Sequence, residues 1–224
     1  AEIAELLRTP ALSPEGVDAP TLIGLARVVR QRAVPVPECH DHTLFDTCGT
    51  GGGVATFNIS TAAAFCFAAA RERLGELPKS AALLEQVSVA KHGNRAVASH
   101  CGSADCLEAC GVKIDLPPDK VVESIKRFGF GFFFAQTYHR AFAHVQPVRK
   151  LLKDEGRRTA FNLIGPLANP AQLPCQVLGV FMPEKRRVMA EVLRALGVQR
   201  ALSLTGRTET GAIMDEISLS GPTE

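Results

Sequence analysis

The chain has 224 residues, of which 46% are hydrophobic and 21% charged, and its formal net charge is +2. That length buries one sizeable core, with a small satellite domain beside it at most. The near-neutral balance excludes a general basic field of the kind that recruits nucleic acid, although local cations remain free to hold a phosphorylated ligand.

No apolar run reaches the roughly 18 residues of a membrane span. The acidic N-terminus, AEIAELLRTPALSPEG, has no apolar signal core and reads as no secretory or organellar address. The chain starts at Ala1 rather than Met, so a trimmed or partial chain is expected. Seven cysteines are scattered along it without a CxxC. Cys39, His40 and His42 lack a second ligand pair at zinc spacing. A reduced, cytoplasmic protein is the expectation.

Two helical stretches open the sequence, AEIAELL and APTLIGLARVVRQRA. The second sets Leu22, Leu25, Ala26 and Val29 on one face, at a period near 3.6. After the Pro-containing linker AVPVPECHDH, strand and helix alternate. Strands are expected at Leu44–Thr47, Val87–Ala90, Gly131–Ala135, Gln176–Phe181 and Ala201–Leu204. Helices are expected within Thr56–Arg73, from an N-cap at Ser103 to Gly111, from a cap at Asp119 to Gly129, over Arg140–Asp154 with a break at Pro147, and over Glu184–Leu196. The charged segment Ala70–Gln86 reads as an exposed helical excursion. Such alternation predicts an α/β fold, a mainly parallel sheet flanked by helices. Residues 1–38 are read as part of a small α-helical domain and 39–224 as the α/β domain.

Between the first strand and its helix lies DTCGTGGG, Asp46–Gly53. Glycines let a backbone approach a ligand closely and adopt positive φ. Successive N–H groups in such a turn, with a helix N-terminus behind them, make a seat for an anion. A bare glycine loop is more often a flexible turn, and this one lacks the Lys of a P-loop. The row of short donors that follows, Thr56, Asn58, Ser60 and Thr61, favours phosphate. A second segment, KHGNR (Lys91–Arg95), follows a strand, at the sheet edge where open parallel sheets hold ligands. Alone it reads equally as a solvated basic loop or a phosphate clamp.

In order, DTCGTGG, TFNIST, VAKHGNRAVAS, GSAD, HVQPVRKLL, FNLIGPLANP and MDEISLSGPTE resemble the anthranilate phosphoribosyltransferases of tryptophan biosynthesis, from about Ala19 to Glu224. The resemblance implies a small helical domain and a larger α/β domain with the site between them. It also implies magnesium (Mg2+) as cofactor and transfer of the phosphoribosyl group of phosphoribosyl pyrophosphate (PRPP) to the amine of anthranilate. It assigns PRPP binding to Gly49, Gly52, Gly53, Thr56, Asn58, Ile59, Ser60, Thr61, Lys91, His92, Gly93, Asn94, Arg95, Ser99 and Ser103. Anthranilate falls to Gly49, Asn94 and Arg149, with Tyr138 and His139 near the aromatic pocket and Arg158 as the rival anchor. Magnesium falls to Ser60, Asp215 and Glu216, which without the resemblance read as a hydroxyl and an ordinary acidic pair. A homodimer is implied, with a glutamine amidotransferase or anthranilate synthase as a further partner, and neither nucleic acid nor membrane.

Three features depart from the family pattern. The family loop reads GTGGDG, whereas here Gly53 stands in place of the Asp and the loop is one residue shorter. Ala70–Gln86 is longer than the usual connection. The chain stops at Glu224, where the family continues. Two other readings remain: a nucleoside phosphorylase-like enzyme, disfavoured by KHGNR and Arg149, and a non-catalytic relative binding nucleic acid or protein, disfavoured by the net charge of +2. No Asp–His or Ser–His pairing offers a general base. An arylamine, whose lone pair is free at neutral pH, does not need one. His92 reads as an assistant or a packing residue.

Overall fold

The alternation expected from the sequence builds a five-stranded parallel sheet in a computed structural model that describes residues 2–54, 56–73, 86–96 and 101–224. The elements run α1 (Glu2–Leu7), α2 (Ala19–Gln31), β1 (Thr43–Gly49), α3 (Ile59–Arg73), β2 (Val87–Gly93), α4 (Ser103–Ala109), α5 (Pro118–Phe128) and β3 (Phe130–Phe134). They continue with α6 (Ala135–Tyr138), α7 (Gln146–Asp154), α8 (Phe161–Ile164), β4 (Cys175–Gly179), α9 (Arg186–Ala195), β5 (Arg200–Leu204) and the short pair β6 (Gly206–Arg207) and β7 (Ile213–Met214). The strand order is β3-β2-β1-β4-β5. Phe45 stands opposite Val89 on one side of β1 and opposite Cys175 on the other. All strand C-termini therefore point the same way, and β1, at the centre, delivers the glycine loop to that edge.

The apolar face read on α2 is buried as expected. Leu22 and Ala26 join Leu163, Ile164, Leu178, Met189 and Val192 in one core, with Leu25 and Val29 packed at its margin. The opening helix thus shares its core with α8, β4 and α9. At its start the Asp18 carboxylate accepts from the Thr21 N–H at 2.9 Å, satisfying one of the unpaired donors of a first turn. The opposite side of the sheet packs Phe130, Phe132 and Phe134 of β3 against Ala64, Ala68 and Leu107.

Several boundaries differ from expectation, each for a local reason. Lys91, His92 and Gly93 lie inside β2 rather than in a loop after it, paired with Phe132, Phe133 and Phe134. Ser103 is the first residue of α4, and the cap is Gly102, whose N–H donates to the Asp105 carboxylate at 2.9 Å. Asp119 is likewise inside α5, because Pro118 takes the first helical turn and Pro117 the cap. That helix ends as expected on Gly129, whose φ of 69° is left-handed. The segment 140–154 divides before Pro147 into a 3-10 turn, Arg140–His144, and α7. β3 begins at Phe130 and yields to α6 at Ala135, one residue earlier than expected. Most of the Ala70–Gln86 excursion lies outside the described residues.

Candidate functional site

The glycine loop is held from both sides. The Thr50 N–H donates to the Gly179 carbonyl at 2.9 Å, and the Thr50 hydroxyl accepts from the Phe181 N–H at 3.1 Å. Gly51 and Gly52 then take φ of 73° and 104°, a conformation that residues with a Cβ rarely adopt. The segment ending in Asp215 and Glu216 closes onto this turn. The Gly51 N–H donates to Asp215 Oδ2 at 2.7 Å, and the Val54 N–H to the Ile213 carbonyl at 2.9 Å. The contact depends on missing side chains. A Cβ on Gly49 falls 2.1 Å from Asp215 Oδ2, and one on Gly179 falls 1.7 Å from the Asp215 carbonyl oxygen. Gly53 packs against the same acid.

Behind the loop stands Lys91, expected to face phosphate. Instead its side chain is buried, 1% exposed, and its ammonium donates to the Thr47 carbonyl at 2.7 Å and the Ser60 hydroxyl at 3.2 Å. The difference follows from the strand register, which turns Lys91 under the loop. There its charge acts on two acids. Asp46 is fully buried; burial pushes its carboxyl up, while Lys91 pulls it back down. Glu216 is raised to about 7, first by burial and then by the Asp215 charge beside it, while Lys91 and the Ser60 backbone amide pull it back down. The structure thus brings Ser60, Asp215 and Glu216 together, as the sequence grouped them.

The TFNIST turn leads into α3 beside this cluster. Ile59 is the first helical residue, and the Thr61 and Ala62 N–H groups donate to the Asn58 carbonyl at 3.1 and 2.9 Å. Thr56 is exposed and bonds only locally, to the Phe57 carbonyl, among its described contacts. Thr61 is buried at 1% exposure. Gly93 and Ser103 touch: a Cβ on Gly93 falls 2.0 Å from Ser103 Oγ, and the Ser103 hydroxyl donates to the Asn94 carbonyl at 3.5 Å. Asn94 Oδ1 accepts from the Arg95 N–H at 2.8 Å and from Gln136 Nε2 at 3.4 Å. Arg95 turns from the loop to α4, where its guanidinium donates to both Glu108 oxygens at 2.5 and 2.8 Å and to Asp105 at 3.2 Å. It is satisfied by carboxylates rather than presented to an anion. Ser99 lies outside the described residues.

The surroundings of Arg149 are built differently. The Arg149 guanidinium is partly buried and stands 5.7 Å over the Phe161 ring, and burial lowers its pKa. From Phe161 the rings continue to Phe142 at 5.8 Å, His139 at 5.6 Å and His92 at 5.1 Å. This chain of faces and edges joins the PVR segment to KHGNR. Burial, then the neighbouring His139, push His92 down to about 3, so its imidazole is neutral at ordinary pH and Nε2 is buried without a protein partner. Tyr138, also expected near the pocket, is fully buried against Phe133 with its hydroxyl donating to the Leu116 carbonyl at 3.2 Å. Arg158 lies at the glycine loop instead, 4.5 Å over the Phe181 ring with Nη2 donating to the Gly52 carbonyl at 3.5 Å.

Sequence reasoning passed over Asp46 and Asn169 as site residues. Asn169, in GPLANP, donates through Nδ2 to Asp46 Oδ2 at 3.0 Å and to the Ala90 carbonyl at 2.7 Å, while the His92 N–H donates to the same Asp46 oxygen at 3.2 Å. One buried carboxylate thereby ties β1, β2 and the GPLANP turn into a floor under the site. The signal was present in the motifs themselves, since DTCGTGG begins with that Asp and GPLANP contains that Asn.

Comparison with known proteins gives this arrangement its relatives. The chain is 44% identical to the anthranilate phosphoribosyltransferase of Moorella thermoacetica over 225 aligned positions, covering 100% of the chain and 59% of that protein. It is 46% identical to that of Pelotomaculum thermopropionicum, covering 99% of the chain and 57% of the relative. The chain therefore spans less than three fifths of the length of these relatives. Among solved structures it resembles the anthranilate phosphoribosyltransferase of Thermus thermophilus, with a TM-score of 0.72 and 46% identity over 88% of this chain and 54% of that one. It also resembles the Saccharomyces cerevisiae enzyme in complex with PRPP and Mg, with a TM-score of 0.73 and 25% identity over 90% of this chain and 50% of that one. The model of the glycosyl transferase family, a/b domain, matches residues 41–224, the whole sheet and every segment of the site described above, and the chain belongs to that family.

Proposed function

We propose that the chain carries the phosphoribosyl-transfer site of an anthranilate phosphoribosyltransferase, moving the phosphoribosyl group of PRPP to the amine of anthranilate with release of pyrophosphate. The observation that carries this reading is the closure of Asp215 and Glu216 onto the glycine loop and Ser60. It places amide donors, a helix start and two carboxylates around one point at the C-terminal edge of the sheet. A glycine loop with two positive-φ residues, followed by the start of α3, suits the phosphates of PRPP.

The carboxylates also fit a divalent cation. Burial, and then the Asp215 charge beside it, raise Glu216 to about 7, and a hard cation with oxygen ligands offsets both. Asp215, Glu216 and the Ser60 hydroxyl would hold magnesium, which supplies charge neutralisation for the leaving pyrophosphate. The chain's own contribution is alignment. As the bond from ribose C1 to pyrophosphate breaks, positive charge builds on the ribose and the arylamine nitrogen forms the new bond. The loop fixes one partner while Arg149 orients the other through its carboxylate by a two-pronged hydrogen bond. The ring chain from Phe161 to His92 lines the path of the aromatic acceptor, and neutral His92 and His139 add no competing charge there.

The exposed Ile3, Leu6 and Leu151 of α1 and α7 support pairing with a second copy through the helical end of the molecule. A glutamine amidotransferase or anthranilate synthase remains the further partner proposed from the family. No helix among the described residues is long and apolar enough to cross a membrane. Loss of anthranilate fluorescence on adding the chain, PRPP and magnesium tests the transfer. The reading requires loss that needs all three. Loss that proceeds with ribose 1-phosphate in place of PRPP speaks for a phosphorylase-like reaction.

A further inference from the structure

Cys101, Cys106 and Cys110 cluster around α4, and none of them belongs to the motifs that carry the family resemblance. Cys106 lies in the last turn of α4 and Cys110 caps that turn, with the Cys110 N–H donating to the Cys106 carbonyl at 3.1 Å. The Cys110 thiol adjoins that of Cys106. Cys106 is half-buried and Cys110 exposed, so solvent reaches the pair. No disulfide joins any of the seven cysteines. Burial, followed by the adjoining Cys110 and Cys101 thiols, pushes the Cys106 thiol up, which keeps it protonated until something binds sulfur.

The spacing selects what can bind. Cβ atoms four residues apart on a helix are about 5–6 Å from one another, whereas a disulfide needs them at about 3.5–4.5 Å. Oxidation of the pair therefore has to unwind the last turn of α4. A soft ion seated between the two sulfurs does not. Among the described residues no three His, Cys, Asp or Glu side chains converge to hold a metal. That disfavours zinc, which takes four ligands, and leaves an ion that accepts two thiolates.

We propose that Cys106 and Cys110 form a two-thiolate site at the C-terminal end of α4 for a soft monovalent cation of the copper(I) class. Binding forms two metal–sulfur bonds, breaks two S–H bonds and releases two protons to solvent. The metal keeps its oxidation state, so neither oxidant nor reductant is consumed. Affinity accordingly rises with pH. The inference does not rest on the transferase reading, because neither thiol belongs to that site.

The test titrates the reduced, anaerobic protein with copper(I) held by a chromophoric chelator. The parent takes one equivalent per chain from the chelator. Cys106→Ser and Cys110→Ser, each left with one thiolate, hold it at least about tenfold less tightly. Cys39→Ser, Cys66→Ser and Cys101→Ser match the parent. Far-UV circular dichroism identifies the variants that keep the fold, and Cys110→Ser, at an exposed helix end, serves if Cys106→Ser does not. A parent that leaves all the copper with the chelator overturns the proposal. So does uptake undiminished in the folded Cys106 or Cys110 variants, or lost only with Cys101.

Discussion

The two halves of the site solve recognition in opposite ways. Around the glycine loop nearly every contact is a directed hydrogen bond: Thr50 to Gly179, Gly51 to Asp215, Lys91 to Thr47 and Ser60. Around Arg149 the contacts are ring faces and edges from Phe161 to His92. A phosphate needs fixed donors arranged before it arrives, because each unmatched charge is costly to desolvate. A flat aromatic acid needs a slot of the right shape and one cation. The difference teaches that damage to the loop half should spread through the network, while damage to the ring half should remain a matter of one substrate.

Lys91→Met is the largest expected break in that contrast. It removes the ammonium that donates to the Thr47 carbonyl and the Ser60 hydroxyl while keeping most of the volume, and each hydrogen bond from a charged donor is worth about 1.5–3 kcal/mol. Chemical denaturation should show that loss, with PRPP binding falling alongside it. A variant as stable as the parent would remove Lys91 from the network.

Gly49→Ala comes next. Its Cβ meets Asp215 Oδ2 at 2.1 Å and the Asp215 carbonyl at 3.0 Å, so the acid must move off the loop. Overpacking of this kind costs about 1–3 kcal/mol, and here the cost should appear as weaker PRPP binding in the presence of magnesium. Unaltered affinity would mean that the closure is dispensable.

Arg149→Lys probes the other half. Lysine keeps the charge but loses the two-pronged geometry, worth roughly 1.5–3 kcal/mol, or about ten- to a hundredfold. The Michaelis constant for anthranilate should rise by that factor while that for PRPP holds. An equal rise in both constants would mean that the two halves are not separable, and no effect would pass the anchor to Arg158, which lies at the loop.

The smallest effect is a pH dependence. Glu216 titrates near 7 in the fold against an ordinary 4.5. Between those values the native state keeps a proton that the unfolded chain has lost, so stability declines as pH rises through about 4.5 to 7 and levels off above. Glu216→Gln should flatten that slope in urea midpoints measured across the window. A parent whose stability rises through it contradicts the burial and like-charge crowding that raise Glu216.

The architecture was legible in the sequence because strand and helix alternate with clear punctuation, as at Gly129, where a left-handed residue ends α5. The grouping of Ser60, Asp215 and Glu216 was legible only through motif resemblance, since they are far apart in the chain and an adjacent Asp–Glu pair is ordinary surface chemistry. The place of Lys91 was not legible. A lysine and a histidine in succession argue for a solvated loop, and only the pairing of β2 with the phenylalanines of β3 reveals that both are buried. Asp46 and Asn169 escaped for a related reason: each looks like a turn residue until the sheet brings them within 3.0 Å. The caps went astray by one or two residues because Gly102 and Pro117 start their helices without the side-chain acceptor that marks a cap in sequence.

The central claim is that the two acids and the glycine loop make one seat for PRPP and a divalent cation. Isothermal titration of PRPP with magnesium into the parent and into an Asp215→Asn, Glu216→Gln double variant tests it most directly. The parent should bind PRPP more tightly with magnesium than without, and the double variant should lose this enhancement while remaining folded. Magnesium enhancement of the same size in both proteins would contradict it.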